Sequence, residues 1–214
     1  MDWHAWHDAY TSPDSALTAR LRTVTERIRA ALDAAPPGPF RVVSVCAGQG
    51  LDLLGALADH PRRADVSARL VELDPRNTAA AREAAAALGL HDIEVVTGDA
   101  SLTDSYAGAV PAQLVLFVGV FGNITAADIE RTTGFLDGLC APGGSVIWTR
   151  NRREPDLFPR ICDWLEQRGF ERTWTSAPEI RQGVGVHHFT SEPRELPTGE
   201  RMFTFVGYDV LSGR

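Results

Sequence analysis

Apolar positions along the chain change their period several times, and each change marks an element. Across residues 15–35, Leu17, Leu21, Val24, Ile28 and Leu32 recur at steps of three and four, forming the single apolar stripe of a helix. Ser15 or Asp14 supplies a cap after Pro13, and Pro36-Pro37-Gly38-Pro39 ends the helix. Residues 40–47 are instead a nearly continuous apolar run, as a strand buried on both faces requires. Gly48-Gln49-Gly50 breaks that run, and residues 52–59 read as a helix. The pattern then predicts strands over 68–73, 93–96, 113–118 and 145–149. Helices over 75–88, 125–139 and 157–168 separate them.

Strands alternating with helices at this spacing predict an α/β fold with a mostly parallel sheet covered on both faces. The last fifty residues differ. Residues 170–176 and 202–210 carry strand-like patterns, and the stretch between them holds Pro178, Gly183, Gly185, Pro193 and Pro197 without a long helical pattern. A connection lacking a crossover helix makes the final strand pair antiparallel. The chain therefore divides into an N-terminal helical extension or lid, residues 1–35, and a Rossmann-like domain, residues 36–214.

Candidate chemistry gathers at the predicted strand ends. Gly48 and Gly50 let the backbone pass close to a ligand and leave helix N–H groups pointing at it. The second strand ends Val71-Glu72-Leu73-Asp74-Pro75, and an acidic side chain placed there can take both hydroxyls of a ribose. Asp74, directly before Pro75, suits a helix cap. The third strand ends Val96-Thr97-Gly98-Asp99-Ala100, adding a second acid at the same sheet edge.

With these strand ends in order, the stretch from residue 40 to 149 resembles the class I S-adenosylmethionine-dependent methyltransferases. The resemblance implies a seven-stranded sheet of order 3-2-1-4-5-7-6 whose last strand is antiparallel. It implies S-adenosyl-L-methionine as methyl donor and S-adenosyl-L-homocysteine as product. By position, Gly48 and Gly50 match the first glycines of the family's loop, and Glu72 its ribose-binding acid, with Leu73 beside it. Asp99, with Ala100, matches the acid that faces the adenine amino group. Val118-Gly119-Val120-Phe121-Gly122-Asn123 matches the fourth-strand motif, which puts Gly119 on the cofactor and Asn123 between methyl donor and acceptor.

Two positions depart from the family pattern. Cys46 stands where an acid usually precedes the first glycine, and Asp52 replaces the third glycine. Asp52 either supplies the missing carboxylate to the cationic methionine end or simply caps its helix. Methyl transfer is an in-line displacement at an activated carbon, so positioning alone carries much of it, and a general base serves where the acceptor must lose a proton. Asn123, His187, His7 and Tyr10 are the candidates on the acceptor side, with His4 and His188 adjacent to two of them. Trp3 and Trp6, near His7, belong either to a lid or to the packing of the first helix. Arg150, Arg152 and Arg153 suit an anionic acceptor, or else pair with Glu154 and Asp156.

Charge and cysteine content narrow the partners. A net charge of −7 gives no long-range attraction to nucleic acid, so the expected acceptor is a small molecule, with no nucleic acid and no membrane as partner. The three cysteines are widely spaced and lack metal-ligand spacing, so neither a disulfide framework nor a metal site is expected. With no leader pattern and no long apolar run, the expectation is a cytoplasmic protein. Two other functions remain open from the sequence. A nicotinamide-dependent oxidoreductase needs G-x-G-x-x-G, but Leu53 stands at the third glycine. A non-catalytic S-adenosylmethionine-binding protein accommodates the altered loop.

Overall fold

A computed structural model describes residues 15–207 and residue 211. Seven strands form one sheet: β1 (Phe40–Val45), β2 (Val66–Glu72), β3 (Ile93–Thr97), β4 (Ala112–Phe117), β5 (Cys140–Asn151), β6 (Phe170–Thr175) and β7 (Gln182–Phe189). Their order is 3-2-1-4-5-7-6. Strands β1 to β5 pair in parallel, and β7 runs antiparallel to both β5 and β6. The described helices are α1 (Ala16–Ala34), α2 (Leu51–Leu57), α3 (Pro75–Ala87), α4 (Ala126–Thr133), α5 (Leu136–Leu139) and α6 (Phe158–Glu166), with short 3-10 turns at Arg63–Asp65 and Thr103–Tyr106.

The sheet separates two cores. On one face Val42, Leu70, Leu114, Leu116 and Ile147 pack against Val24, Ile28 and Leu32 of α1, Leu53 and Leu57 of α2, and Ala81 and Ala85 of α3. On the other face Val43, Val115, Phe117 and Trp148 pack against Ile129, Leu136, Ile161 and Leu165 of α4 to α6. The central strands are buried on both faces, which is why they read as unbroken apolar runs. Helix α1 starts where its stripe predicts, the Ser15 hydroxyl accepting from the Thr18 N–H at 3.0 Å. Its inner face packs into the core on this side of the sheet. Its carboxyl end is held by Arg62, which donates to the Leu32, Ala35, Pro36 and Gly38 carbonyls and pairs with Asp65 at 3.0 Å. Fanned donors at those carbonyls satisfy groups a helix end leaves open.

Two expectations need correction. The last strand is not found at 202–210 among the described residues: Arg201 makes an isolated bridge to Leu102, residues 202–207 are irregular, and 208–210 lie outside the described residues. The strand is β7, in the segment that its glycines make look like a loop. A Cβ at Gly183 would lie 2.6 Å from the Phe158 ring, and one at Gly185 would lie 2.5 Å from the Trp148 ring. These glycines sit inside a strand because aromatic rings lie across them. Residues 125–139 form two helices, because the chain turns at Gly134 and Phe135 between α4 and α5.

The same aromatic cluster holds His187. It is fully buried, and the Trp148 indole N–H donates to its Nδ1 at 3.1 Å. The indole can only donate, so the imidazole is the tautomer protonated on Nε2. Burial, with Arg172 adding repulsion, pulls its pKa down to about 4. The unfolded chain, with an ordinary imidazole near 6.5, takes up this proton first. The stability this group contributes is therefore complete above pH ~6.5 and is lost as pH falls toward ~4, by about 3 kcal/mol.

Two outcomes are expected. The slope of unfolding free energy against pH between ~6.5 and ~4, measured by urea titration, flattens in His187→Gln relative to wild type by the loss of one proton's linkage. Arg62→Ala lowers stability by about 2 kcal/mol in the same assay, without changing ligand affinity, because it frees several carbonyls at once far from the cavity.

Candidate active site

The carboxyl ends of β1 and β4 point the same way, and crossovers leave them in opposite directions along the sheet. That switch point is where open α/β sheets bind ligands. A cavity of about 600 Å³ opens there, a size that encloses a cofactor-sized molecule. Leu51, Leu73 and Phe205 line it while remaining partly open to solvent. They are three of the five large hydrophobic side chains that are exposed among the described residues, so the exposed apolar surface is concentrated at this site.

Its floor is the turn from β1 into α2. Cys46, Gly48 and Gly50 all take left-handed backbone angles, with φ of 53°, 56° and 68°. Gly48 faces the cavity, whereas Gly50 is absent from its lining. A Cβ at Gly50 would stand 2.7 Å from Leu70, so this glycine serves both the turn and the close packing of α2 on β2. Glu72, buried at the end of β2, fastens this turn. Its Oε2 accepts from the Gly48 N–H at 2.9 Å and its Oε1 from the Asp74 N–H at 3.0 Å. Each oxygen keeps a lone pair, and the carboxylate lines the cavity. Asp74 caps α3 by accepting from the Arg76 N–H at 2.9 Å.

The remaining cofactor candidates converge on the same space. Asp52, Leu73, Asp99, Ala100 and Gly119 all line it. Asp52 is buried at the second position of α2, accepting from the Leu53 N–H at 2.8 Å, while Gly50 holds the cap position. Asp99 Oδ1 accepts from the Ser101 N–H at 2.9 Å and the Ser101 hydroxyl at 2.6 Å, and Oδ2 from Arg201 at 2.9 Å. Partial burial alone would raise its pKa, but these donors outweigh burial and hold the carboxyl below its usual range. The Tyr106 hydroxyl, donating to the Ala100 carbonyl at 2.7 Å, braces this loop from beneath. Above Gly119 and Gly122 there is open space where a Cβ would stand. Cys46 lies at the cavity wall, and burial, reinforced by the charges of Glu72 and Asp99, drives its thiol far above its ordinary pKa. It remains a neutral thiol, not a nucleophile.

The acceptor candidates separate. Asn123 lines the cavity, its amide donating to the Gly119 carbonyl at 2.7 Å, which leaves the side-chain oxygen as an acceptor. His187 sits in the aromatic core and is absent from the lining. His4, His7, Tyr10, Trp3 and Trp6 lie outside the described residues. The three arginines at the end of β5 also divide, Arg150 within the strand and Arg152 and Arg153 after it. Arg150 and Arg153 line the cavity. Arg152 instead stacks over the Phe158 ring at 3.6 Å and pairs with Asp156 at 3.6 Å. Arg150 donates to the Phe121 carbonyl at 2.5 Å, and its buried Nε has no partner among the described residues. The buried Asn151 Oδ1, beside it on the lining, has none either. Burial lowers the Arg150 pKa, with Asp156 opposing.

Sequence reasoning missed Arg20 and the pair Phe203 and Phe205, all on the cavity lining. Arg20 lies four residues before Val24, on the buried line Arg20, Val24, Ile28 and Leu32. A cation interrupting an apolar stripe was the available signal. The two phenylalanines were absorbed into the supposed last strand. Leu53, where a dinucleotide loop needs its third glycine, is buried inside α2. Among the described residues no three His, Cys, Asp or Glu side chains cluster as metal ligands would. No described helix is long and apolar enough to cross a membrane.

No protein-family model and no curated protein sequence matches the chain. Solved structures do. An O-methyltransferase family protein from Burkholderia thailandensis is 18% identical, covering 92% of this chain and 60% of its own, with a TM-score of 0.68. Magnesium protoporphyrin IX methyltransferase from Synechocystis PCC 6803, solved with bound S-adenosylmethionine, is 13% identical over 86% of this chain and 89% of its own, with a TM-score of 0.63. Ribosomal protein L11 methylase from Lactobacillus delbrueckii subsp. bulgaricus is 19% identical over 80% of each chain, with a TM-score of 0.58. The chain spans about three fifths of the first of these proteins. With its strand order and its antiparallel β7, the chain has the fold of the class I S-adenosylmethionine-dependent methyltransferases.

Proposed function

We propose that the protein transfers a methyl group from S-adenosyl-L-methionine to a small, anionic acceptor, releasing S-adenosyl-L-homocysteine. The observation that carries this reading is the Glu72 carboxylate. It is fixed by two backbone N–H groups on the floor of a partly apolar cavity, with lone pairs left for a vicinal diol. The residues fit the cofactor in kind. Glu72 would take the ribose hydroxyls, Leu73 and Ala100 would give apolar contact to a purine, Asp99 would accept from its amino group, and Asp52 would supply a carboxylate to the cationic methionine end. Gly48 and Gly119 allow close approach of backbone. When bound, the cofactor supplies a methyl group already activated by the sulfonium. The protein orients the acceptor, with Asn123 accepting or donating a hydrogen bond, and the apolar wall excludes water.

Acidic groups enter the cavity from the β1 to β3 half, and Arg150 and Arg153 enter from the end of β5. The guanidinium groups of Arg150 and Arg153 on the lining support a carboxylate or phosphate on the acceptor. The acidic balance of the chain as a whole supports a small molecule rather than a nucleic-acid substrate.

Calorimetric titration with S-adenosylhomocysteine and with NAD tests the cofactor directly; binding of NAD alone would sink the reading. Glu72→Ala is expected to weaken S-adenosylhomocysteine about 100-fold, the loss of two charge-assisted hydrogen bonds, whereas Asp74→Ala lowers thermal stability with little change in affinity. Asp52→Asn is expected to weaken S-adenosylmethionine about tenfold, and unchanged binding assigns Asp52 to the helix alone. Turnover of carboxylate-bearing phenols against their neutral analogues, read as S-adenosylhomocysteine release, tests the acceptor class. Arg150→Gln should abolish the preference for the anion while leaving cofactor affinity intact; equal turnover of neutral and anionic phenols by wild type argues against an anionic acceptor.

A further inference from the structure

Two hydrogen bonds centred on Gly119 shape the cavity wall where β4 leaves the sheet. The last pair between β4 and β5 is Phe117 with Trp148. Beyond it the Thr149 side chain takes over, its hydroxyl oxygen accepting from the Gly119 N–H at 2.8 Å. Gly119 turns there with φ of 81°, and its carbonyl accepts from the Asn123 side-chain amide at 2.7 Å. The Asn123 backbone is held in turn. Its N–H donates to the Val120 carbonyl at 2.8 Å, and its carbonyl accepts from the Val206 and Gly207 N–H groups at 2.9 and 3.1 Å. Thr149, Gly119 and Asn123 all line the cavity, and Thr149 is buried.

Each side chain has hydrogen-bonding capacity left over. A hydroxyl carries one proton and two lone pairs, and Gly119 occupies one lone pair. Among the described residues nothing accepts the Thr149 proton; the Gly119 N–H is the hydroxyl's one partner. The Asn123 nitrogen is committed to a carbonyl, so its Oδ1 is fixed as well, and that oxygen can only accept. The wall therefore offers a donor from β5 and an acceptor from the turn after β4, on either side of a glycine above which a Cβ would meet nothing.

Such a pair discriminates between nucleophiles. A hydroxyl donates its proton to Asn123, accepts from Thr149 with one lone pair, and keeps a second lone pair for attack on a methyl carbon. A neutral amine that accepts from Thr149 spends the only lone pair it has, and an ammonium has none. A carbon nucleophile leaves the buried Thr149 donor unsatisfied.

We propose that Thr149 is an acceptor-binding residue which, with Asn123, makes the protein methylate oxygen, selecting a hydroxyl over an amine. The inference rests on the reading of the cavity as a methyl-transfer site and names the atom that receives the methyl. The hydroxyl oxygen bonds to the methyl carbon as the carbon–sulfur bond breaks, and that bond's electron pair stays on sulfur in the neutral thioether product. The hydroxyl proton, directed at Asn123 Oδ1, passes to water, because an amide oxygen is too weak a base to keep it.

The test uses phenol, the three hydroxybenzoates, and the anilines that replace each hydroxyl by an amine. Turnover is read as S-adenosylhomocysteine release. Binding is read by calorimetry on protein saturated with S-adenosylhomocysteine, where no transfer occurs. For at least one pair, wild type should turn over the hydroxyl compound at least about 100-fold better in kcat/KM than its amine counterpart. The two should bind the saturated protein within about tenfold of each other, since an amine that is not attacking satisfies both contacts. Thr149→Val keeps the side chain's shape and removes the hydroxyl. It should weaken binding of the hydroxyl compound about tenfold and lower the hydroxyl-to-amine turnover ratio by at least about tenfold. Thr149→Ser should recover most of both. A Thr149 needed only to hold Gly119 would lower both turnovers together and leave the ratio in place. Thr149→Ala serves where Thr149→Val no longer binds S-adenosylhomocysteine. Preferred methylation of the amines, or a ratio unchanged on removing the hydroxyl, overturns this inference alone. So does a wild type that binds S-adenosylhomocysteine yet turns over no hydroxyl compound. A wild type that does not bind S-adenosylhomocysteine overturns it together with the proposed function.

Discussion

The Glu72 carboxylate is the constraint on which the site depends. The turn after β1 takes three left-handed residues in five; its Ala47 N–H still reaches the Val71 carbonyl of β2, but the Gly48 N–H has no backbone partner. Glu72 supplies the partner for Gly48 and, with its other oxygen, holds the N–H of Asp74 at the entry to α3. Beyond the last paired residues, Val45 and Val71, this side chain ties the turn to the end of β2. That tie decides how far the backbone of the loop stands from anything resting in the cavity. A buried carboxylate is tolerated here because it is satisfied by fixed dipoles.

Around that anchor, charge is distributed by element. Carboxylates stand at the start of α2 and the ends of β2 and β3, and guanidinium groups at the end of β5 and on α1, so the lining carries both signs. Cys46 makes sense in this field. A third carboxylate beside Glu72 and Asp99 would add repulsion to a region where burial already opposes charge, as the thiol's suppressed ionisation shows. Asp52, one helical turn further along, sits at the positive end of α2 instead.

Much of this was legible in the chain. The apolar runs of β1, β2 and β4 and the stripe of α1 located the sheet and one helical layer, because burial imposes those periods directly. Glu72, Asp99 and Asn123 were readable as strand-end residues and do share one cavity. Gly50 was read as facing a ligand, but a glycine required by packing against Leu70 looks the same in sequence. The β7 strand was hidden because Gly183 and Gly185 mimic a loop until the rings of Phe158 and Trp148 are seen above them. Phe203 and Phe205 alternate as strand residues do, yet they line a cavity, since alternation records two-sided burial and not sheet pairing. His187 gave no sign that an indole from β5 would claim it.

The ion pair between Arg201 and Asp99 joins positions 102 residues apart. Contacts of that separation close large loops and tend to form after local structure is in place. The sheet and its inner helices can consolidate while this edge of the cavity is still open. The edge is held by the buried Met202 and Phe203 and by hydrogen bonds nearer solvent, and the solvent-side bonds are where local opening is least costly. Thermodynamic linkage then runs both ways: a molecule that rests against Phe205 holds residues 199–207 down, and opening of that segment weakens the molecule's hold. The breathing of one irregular segment is thereby coupled to the residence time of whatever the cavity contains.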